Sequence, residues 1–262
     1  MSTPQLSIVV PAFNEARRIP ATLRAIAAHF ASAPFAVELI VVDDGSSDDT
    51  RGAVRALAPE LAVPVWLLSY PGNRGKGFAL KVGFAASRGE QVLFSDADLS
   101  TPIEEADRLL AELGRGFDIV IGSRKTPRAQ IEVHQPWFRE KLGKGFTLLV
   151  RMLVADVTDA TCGFKAFRGD VGRDLFARVR VFDWSFDAEI LLIGRRRGYR
   201  LAEVPVRWRH HPGTKVDLRR DVLRSLEGIA RIRWYAALGR YGDPLPLDLT
   251  PHSWSPAAGI AP

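Results

Sequence analysis

Along the first half of the chain, short apolar runs alternate with amphipathic stretches. Residues 6–10 read as a buried strand that ends at Pro11, and helical spacing follows over residues 17–31. Residues 37–42 are almost all apolar and β-branched, the pattern of a strand covered on both faces. That run stops at Asp43-Asp44-Gly45-Ser46-Ser47, where Ser47 or Asp48 is expected to cap a helix running through residue 58. A third strand is predicted over residues 63–68, a third helix over 77–87 and a fourth strand over 91–95, halted by Asp96-Ala97-Asp98. Thr101-Pro102-Ile103-Glu104 then reads as a helix start, with Thr101 as cap and Pro102 in the first turn. Residues 117–121 make a fifth strand.

Repeated strand–helix units predict an α/β, Rossmann-like single domain: a mostly parallel twisted sheet flanked by helices. In such a sheet ligands bind beyond the carboxyl ends of the strands. The acidic and glycine-rich clusters stand at those ends.

The pattern changes after residue 123. Residues 124–136 form a polar, basic loop containing Arg124, Lys125, Arg128 and His134. A helix is predicted over 136–154, a strand over 161–167, a helix over 187–197, and an edge strand over 201–208, since Pro205 cannot donate to a ladder. Leu218, Val222, Leu226 and Ile229 mark one face of a last helix, followed by Trp234 and Tyr235. Such a helix either packs on its own domain or lies in a lipid interface. Residues 242–262 hold five prolines without periodicity and are expected to form a flexible tail. Two halves of the domain are expected, one over about 6–123 and one over about 124–241.

Composition narrows the class. Of 262 residues, 47% are apolar and 25% charged, which excludes a disordered, collagen-like or disulfide-scaffold chain. The one cysteine, Cys162, cannot form an internal disulfide, consistent with a reducing compartment. Thirty-six basic against 30 acidic side chains leave a net charge of +6, favouring an anionic partner. No apolar run approaches the roughly 18–20 residues of a membrane span, and residues 1–20 do not read as a signal peptide. A cytoplasmic protein is expected, with peripheral contact at the cytoplasmic membrane face as an option.

Three clusters carry the candidate chemistry. Asp96 and Asp98, one residue apart at a strand end, can share a hard divalent cation with diphosphate oxygens. Asp43 suits hydrogen-bond donors on a nucleobase or ribose; the cluster is not an EF-hand, because Gly45 stands where an alternate ligand belongs. Gly72-Asn73-Arg74-Gly75-Lys76-Gly77 opens a helix, so its backbone N–H groups and Lys76 can approach phosphate, although it is not a Walker A sequence.

Taken together, Pro11-Ala12-Phe13-Asn14-Glu15, the Asp43–Thr50 cluster, Asn73-x-Gly75-Lys76-Gly77 and Asp96-Ala97-Asp98 occur in an order that resembles family 2 glycosyltransferases of the GT-A fold. Asp98-Leu99-Ser100-Thr101-Pro102, Gly122-Ser123-Arg124, Asp159-Ala160-Thr161-Cys162-Gly163-Phe164-Lys165 and Phe186-Asp187-Ala188-Glu189-Ile190-Leu191 are similar to polyprenyl-phosphate sugar transferases, above all the dolichyl-phosphate β-glucosyltransferases, with dolichyl-phosphate mannose synthases as relatives. The resemblance covers about residues 6–216. It implies an inverting transfer of a hexose, glucose from UDP-glucose, to a polyprenyl or dolichyl phosphate, with Mg²⁺ or Mn²⁺. It also implies site residues. Pro11, Phe13, Glu15, Asp43, Asp44, Asn73, Gly75, Lys76, Gly77, Asp96 and Ala97 would line the donor nucleotide. Asp96 and Asp98 would hold the metal, while Arg124, Lys125 and Arg139 would meet the acceptor phosphate. Asp98, Arg124 and Asp187 would be the catalytic group, with Asp187 either a base or a brace for the loop. Eukaryotic glucosyl members carry an N-terminal membrane helix and some bacterial relatives C-terminal spans; this chain shows neither pattern.

The alternatives are a GDP-mannose donor, or a hydroxyl acceptor in cell-envelope glycan synthesis, for which Asp187 or Glu189 would serve as base. A processive polysaccharide synthase would carry Gln-x-x-Arg-Trp, but Val204 precedes Arg207-Trp208 and Ala230 precedes Arg233-Trp234. A sugar nucleotidyltransferase needs an N-terminal glycine-rich signature, and residues 1–20 hold no glycine. A nucleic-acid-binding protein has only the clusters Arg195-Arg196-Arg197 and 207–211 to support it, with no accompanying motif. No nucleic-acid partner is therefore expected.

Overall fold

A computed structural model describes residues 3–133, 157–209, 218–247 and 254–256. The helix expected over 136–154, with His134 and Arg139, lies outside the described residues. The strands are β1 (Leu6–Ala12), β2 (Val37–Asp43), β3 (Val65–Ser69), β4 (Gln91–Ser95), β5 (Ile119–Ser123), β6 (Gln130–Val133), β7 (Phe164–Arg168), β8 (Leu201–Pro205), β9 (Arg207–Arg209) and β10 (Trp254–Pro256). The helices are α1 (Ile19–Phe30), α2 (Thr50–Leu57), α3 (Lys76–Ala86), α4 (Ala106–Gly114), α5 (Gly169–Arg178), α6 (Phe186–Arg196) and α7 (Leu218–Ala237).

Eight strands form one sheet in the order β10-β3-β2-β1-β4-β7-β5-β8, and β6 pairs with β9 apart from it. β2 is parallel to β1 and β3, β1 to β4, and β5 to β8, whereas β7 runs antiparallel between β4 and β5. The ends of β1, β2, β4 and β5 and the start of β7 therefore share one edge. Alternation along the central strands supplies two cores. Val9, Ile40 and Val42 face α3, α5 and α6, while Ile8, Val10, Leu39 and Val41 face α1, α2 and α4.

Several local expectations change. Thr101 does not cap a helix: it is buried beside Cys162, Pro102 holds the cap position, and a 3₁₀ turn at Ile103–Glu105 precedes α4. α2 begins after Asp49, which makes no side-chain cap bond; Asp48 instead accepts from the Thr50 N–H at 3.0 Å. The expected edge strand over 201–208 is two strands, β8 on the main sheet and β9 on β6. α5 has no counterpart among the predicted helices, because Gly169 and Gly172 weaken the helical pattern; a Cβ at Gly172 would stand 2.6 Å from the Phe84 ring, so close packing selects glycine. The expected flexible tail contributes β10, antiparallel on β3, and Leu245 donates its N–H to the Ala177 carbonyl at 2.8 Å.

Candidate active site at the carboxyl edge of the sheet

The β1–α1 and β2–α2 connections lace together into one wall. Asn14 adopts a left-handed φ of 56°. Its Oδ1 accepts from the N–H of Ser47 at 2.8 Å and of Asp48 at 3.3 Å. Ser46 Oγ accepts from the Asn14 N–H, and Thr50 Oγ1 from the Glu15 N–H, both at 2.9 Å. Pro11 and Asp43 are buried in this wall, and Phe13 presents an exposed ring beside them. Asp43 Oδ1 accepts from the Ser46 N–H at 3.2 Å. Its Oδ2 is buried without a hydrogen-bond donor, with Arg51 Nε 3.7 Å away. A buried acceptor left unpaired is costly unless something completes it.

Asp44 is used differently from the expected donor contact. Its carboxylate accepts from Tyr70 Oη (2.8 Å), Asn73 Nδ2 (2.8 Å) and the N–H groups of Arg74 (2.7 Å) and Gly75 (3.0 Å). Four donors occupy all its lone-pair sites. Asp44 and Asn73 therefore shape the 70–75 loop. The Gly77 N–H donates to the Phe182 carbonyl at 3.0 Å, so neither Gly75 nor Gly77 offers its N–H to phosphate. Gly75, with φ 98°, has no room for a side chain: a Cβ would lie 2.5 Å from the Phe182 carbonyl oxygen. What this turn offers a ligand is Lys76.

Lys76 Nζ pairs with Asp96 Oδ1. Burial alone would lower its pKa, but Asp96, Asp187 and Asp98 more than reverse that, so the ammonium is held charged. The Asp96–Asp98 turn is fixed from beneath. Thr22 Oγ1 donates to the Ala97 carbonyl at 2.5 Å, Leu99 takes a left-handed φ of 45°, and Asp98 Oδ1 accepts from the Ser100 N–H at 2.9 Å. Glu15 lies near enough to feel Asp98: burial chiefly raises its pKa, Arg18 lowers it, and Asp98 adds to the rise. Gly163, entering β7, leaves room for Asp96, whose Oδ2 would lie 1.9 Å from a Cβ at that position.

A second ion pair lies below. Lys165 on β7 is fully buried and bonds both Asp187, near the start of α6, and the Cys162 carbonyl. Burial raises the Asp187 pKa, opposed by Lys165 and Lys76. Asp187 is thus buried and paired with Lys165. Glu189 faces away and binds the N–H groups of Arg180 and Val181 and the Tyr241 hydroxyl.

Arg124 follows β5, as expected, and its guanidinium is engaged by the chain's own groups. Its Nε and Nη2 grip Asp159 at 2.7 and 2.8 Å, its backbone N–H donates to the same carboxylate at 3.0 Å, and Nη2 also reaches Thr161 Oγ1 at 3.0 Å. Burial would raise the Asp159 pKa, but Arg124 and then Lys125 hold it far below the usual carboxylate range. Glu203 on β8 in turn accepts from the backbone N–H groups of Thr158 (2.8 Å) and Asp159 (3.1 Å). Asp159, Thr161 and Glu203 have no assigned role in the sequence; their partners lie 35 to 45 residues away in the chain.

Among the described residues no three His, Cys, Asp or Glu side chains converge on a cation position. Asp96 and Asp98 alone nevertheless fit a hard divalent ion, because Mg²⁺ commonly takes one or two carboxylates and completes its shell with substrate phosphates and water.

A mostly parallel α/β sheet with an acidic turn, a lysine and an orphaned carboxylate oxygen at its carboxyl edge has the GT-A fold. The chain matches Glycosyl transferase family 2 over residues 7–176 and belongs to that family; it is a glycosyltransferase. It is 36% identical over 225 residues to the dolichyl-phosphate beta-glucosyltransferase of Drosophila melanogaster, covering 81% of this chain and 69% of that protein. With the Homo sapiens dolichyl-phosphate beta-glucosyltransferase it shares 33% over 227 residues, covering 82% of this chain and 70% of that one. In fold it is similar to glucosyl-3-phosphoglycerate synthase from Mycobacterium tuberculosis in complex with uridine diphosphate (TM-score 0.66, 22% identity, 97% of this chain and 87% of that chain).

Proposed function

We propose that this enzyme transfers a hexose, glucose from UDP-glucose, to the phosphate of a polyprenyl or dolichyl carrier with inversion at the anomeric carbon. The observation that carries the reading is the pairing of Lys76 with Asp96 at the acidic turn, with Arg124, itself held by Asp159, near enough to feel Asp96. Two anions, the donor diphosphate and the acceptor phosphate, must meet there, and such charges offset their repulsion. The dolichyl-phosphate acceptor and the glucosyl donor are suggested by what the fly and human relatives are named for.

In the reaction the acceptor phosphate oxygen bonds the anomeric carbon as the bond from that carbon to UDP breaks, and the electron pair leaves on the diphosphate. A phosphate monoester is already ionised at neutral pH, so no side chain need remove a proton. This suits an Asp187 committed to Lys165. Phe13, Pro11 and Asp43, through its orphaned Oδ2, would receive the base and ribose, and Lys76 the diphosphate. Asp96 and Asp98 would hold Mg²⁺ or Mn²⁺, which when bound neutralises charge developing on the leaving group. Arg124 would act through the loop it closes with Asp159, presenting Lys125 and Arg128 to the acceptor. The expected Arg139 contact belongs to the same proposal.

Among the described residues no helix is long and apolar enough to cross a membrane, so the reading asks for peripheral contact with the bilayer that carries the acceptor. Incubation with UDP-glucose, Mg²⁺ and a water-soluble short-chain prenyl phosphate tests the transfer. Glucosyl prenyl phosphate by mass is the expected product, and turnover with GDP-mannose alone would replace the donor.

A further inference from the structure

Five large apolar side chains are exposed among the described residues: Phe13, Trp184, Leu226, Trp234 and Leu238. Phe13 belongs to the nucleotide wall. The other four lie on α7, just past its end, or on the loop it presses against. The helix face expected from the sequence is split, with Leu226 exposed and Ile229 buried. Ile229 is 2% exposed and Ile232 is fully buried, packed in the core, whereas Leu226 and Trp234 are 47% and 64% exposed on the other side. Leu226, Ala230, Trp234 and Leu238 recur every four residues, which lines them up along one side of the helix. The side chains of Leu218 and Val222 lie outside the described residues.

Cations border this stripe. Arg233 and Arg240 are exposed on the same segment, whereas Arg231, the third arginine over residues 226–240, pairs with Asp183 and Glu227. Arg196 at the end of α6 donates to the Ala236 carbonyl at 2.8 Å, which brings Arg195 and Arg196 to the same end of α7. We propose that this outer face, with Trp184, is the surface by which the enzyme seats on an anionic lipid bilayer. Tryptophan and leucine beneath a fringe of arginines is the composition that lies in a lipid interface. A second copy of the chain fits less well, because a two-fold contact would set this cationic face against itself.

The surface adjoins the site. Arg231 on α7 bonds Asp183 at 2.5 Å, and Gly228 is so close to Ser185 that a Cβ would lie 2.1 Å from its Oγ. That same loop supplies the Phe182 carbonyl to Gly77, and Lys76 Nζ lies 5.8 Å from the Trp184 ring. A protein seated on α7 thus holds the loop that carries Trp184, and Lys76 beside it, near the lipid headgroups. The choice of partner rests on the proposed function; the surface itself does not.

The experiment is sedimentation with vesicles of phosphatidylcholine containing phosphatidylglycerol, against phosphatidylcholine alone, at low and high salt. Wild-type protein is expected to pellet with the anionic vesicles and to release as salt rises. Trp234→Glu with Leu238→Glu should weaken binding by ~10-fold or more, with nucleotide affinity by calorimetry unchanged. Leu226→Glu, at the other end of the stripe, should act in the same direction. The proposal is overturned by wild-type protein that stays in the supernatant, by variants that bind equally well, or by a wild-type dimer in sedimentation velocity that the substitutions dissolve. Transfer to the soluble short-chain acceptor without vesicle binding would sink the surface and keep the function. Vesicle binding without any transfer would do the reverse.

Discussion

Arg124 and Asp159 close on each other through two side-chain hydrogen bonds and a third from the Arg124 backbone, with Asp159 fully buried. Arginine is suited to this because its planar fork matches a carboxylate. Arg124→Ala should therefore do more than weaken an acceptor contact. It strands a buried carboxylate, which costs ~3–5 kcal/mol. Urea denaturation should register that loss, and Arg124→Lys should recover only part of it. A variant as stable as wild type but with a raised acceptor KM would instead make Arg124 a direct phosphate ligand.

The two carboxylates of the acidic turn should separate in a stability assay. Asp96 pairs with Lys76, whereas Asp98 accepts from the Ser100 N–H within its own turn. Asp98→Ala should keep the melting temperature and abolish Mn²⁺ binding, followed by electron paramagnetic resonance. Asp96→Ala should lose both, because Lys76 is left buried beside fewer negative charges. Retained Mn²⁺ affinity in either variant would remove that residue from the metal proposal.

Gly163→Ala should act on Asp96 from across the strand. The new Cβ would stand 1.9 Å from Asp96 Oδ2, and a flexible carboxylate can swing away where backbone cannot. A folded protein with Mn²⁺ affinity reduced ~10-fold or more is expected, in line with the loss of a positioning contact. Unchanged affinity would mean that the Asp96 rotamer is not what the metal uses.

Stability should vary with pH through Glu189. Burial raises its pKa from 4.5 to about 7, against the hydrogen bonds from Tyr241, Val181 and Arg180. Between those values the folded chain holds a proton that the unfolded chain has released. Stability from this group is therefore full below pH 4.5 and falls as pH rises through about 7, by roughly 3 kcal/mol. Lys81 behaves oppositely: burial and then Arg180 lower its pKa from 10.5 to about 8, so its contribution recovers above pH 8. Glu189→Gln should flatten the wild-type decline between pH 5 and 7.5 in urea titrations. Parallel curves for the two proteins would contradict this.

The sheet is legible in the sequence because its central strands are continuous apolar runs: β1, β2 and β4 fall on residues 6–10, 37–42 and 91–95. The clusters at the strand ends are legible for the same reason, since topology brings those ends to one edge. The hidden features depend on partners distant in sequence. Asp44 reads as a ligand contact in the sequence, but Tyr70, Asn73, Arg74 and Gly75 fill its oxygens in the fold. Arg124 reads as open because Asp159 carries no local signal of pairing. The α7 face is only partly legible, because Leu226 and Ile229 share a helical period yet lie on opposite sides of the burial boundary.

Sugar transfer to a lipid-borne phosphate is read from its product. Purified protein, Mg²⁺ or Mn²⁺, and UDP-glucose or GDP-mannose are incubated with a polyprenyl phosphate in anionic vesicles, and the lipid extract is examined by mass spectrometry and anomeric proton coupling. The expected product is a β-linked glucosyl polyprenyl phosphate from UDP-glucose, absent with Asp98→Ala and without metal. Glucose recovered on a hydroxyl acceptor, with the polyprenyl phosphate untouched, would contradict it.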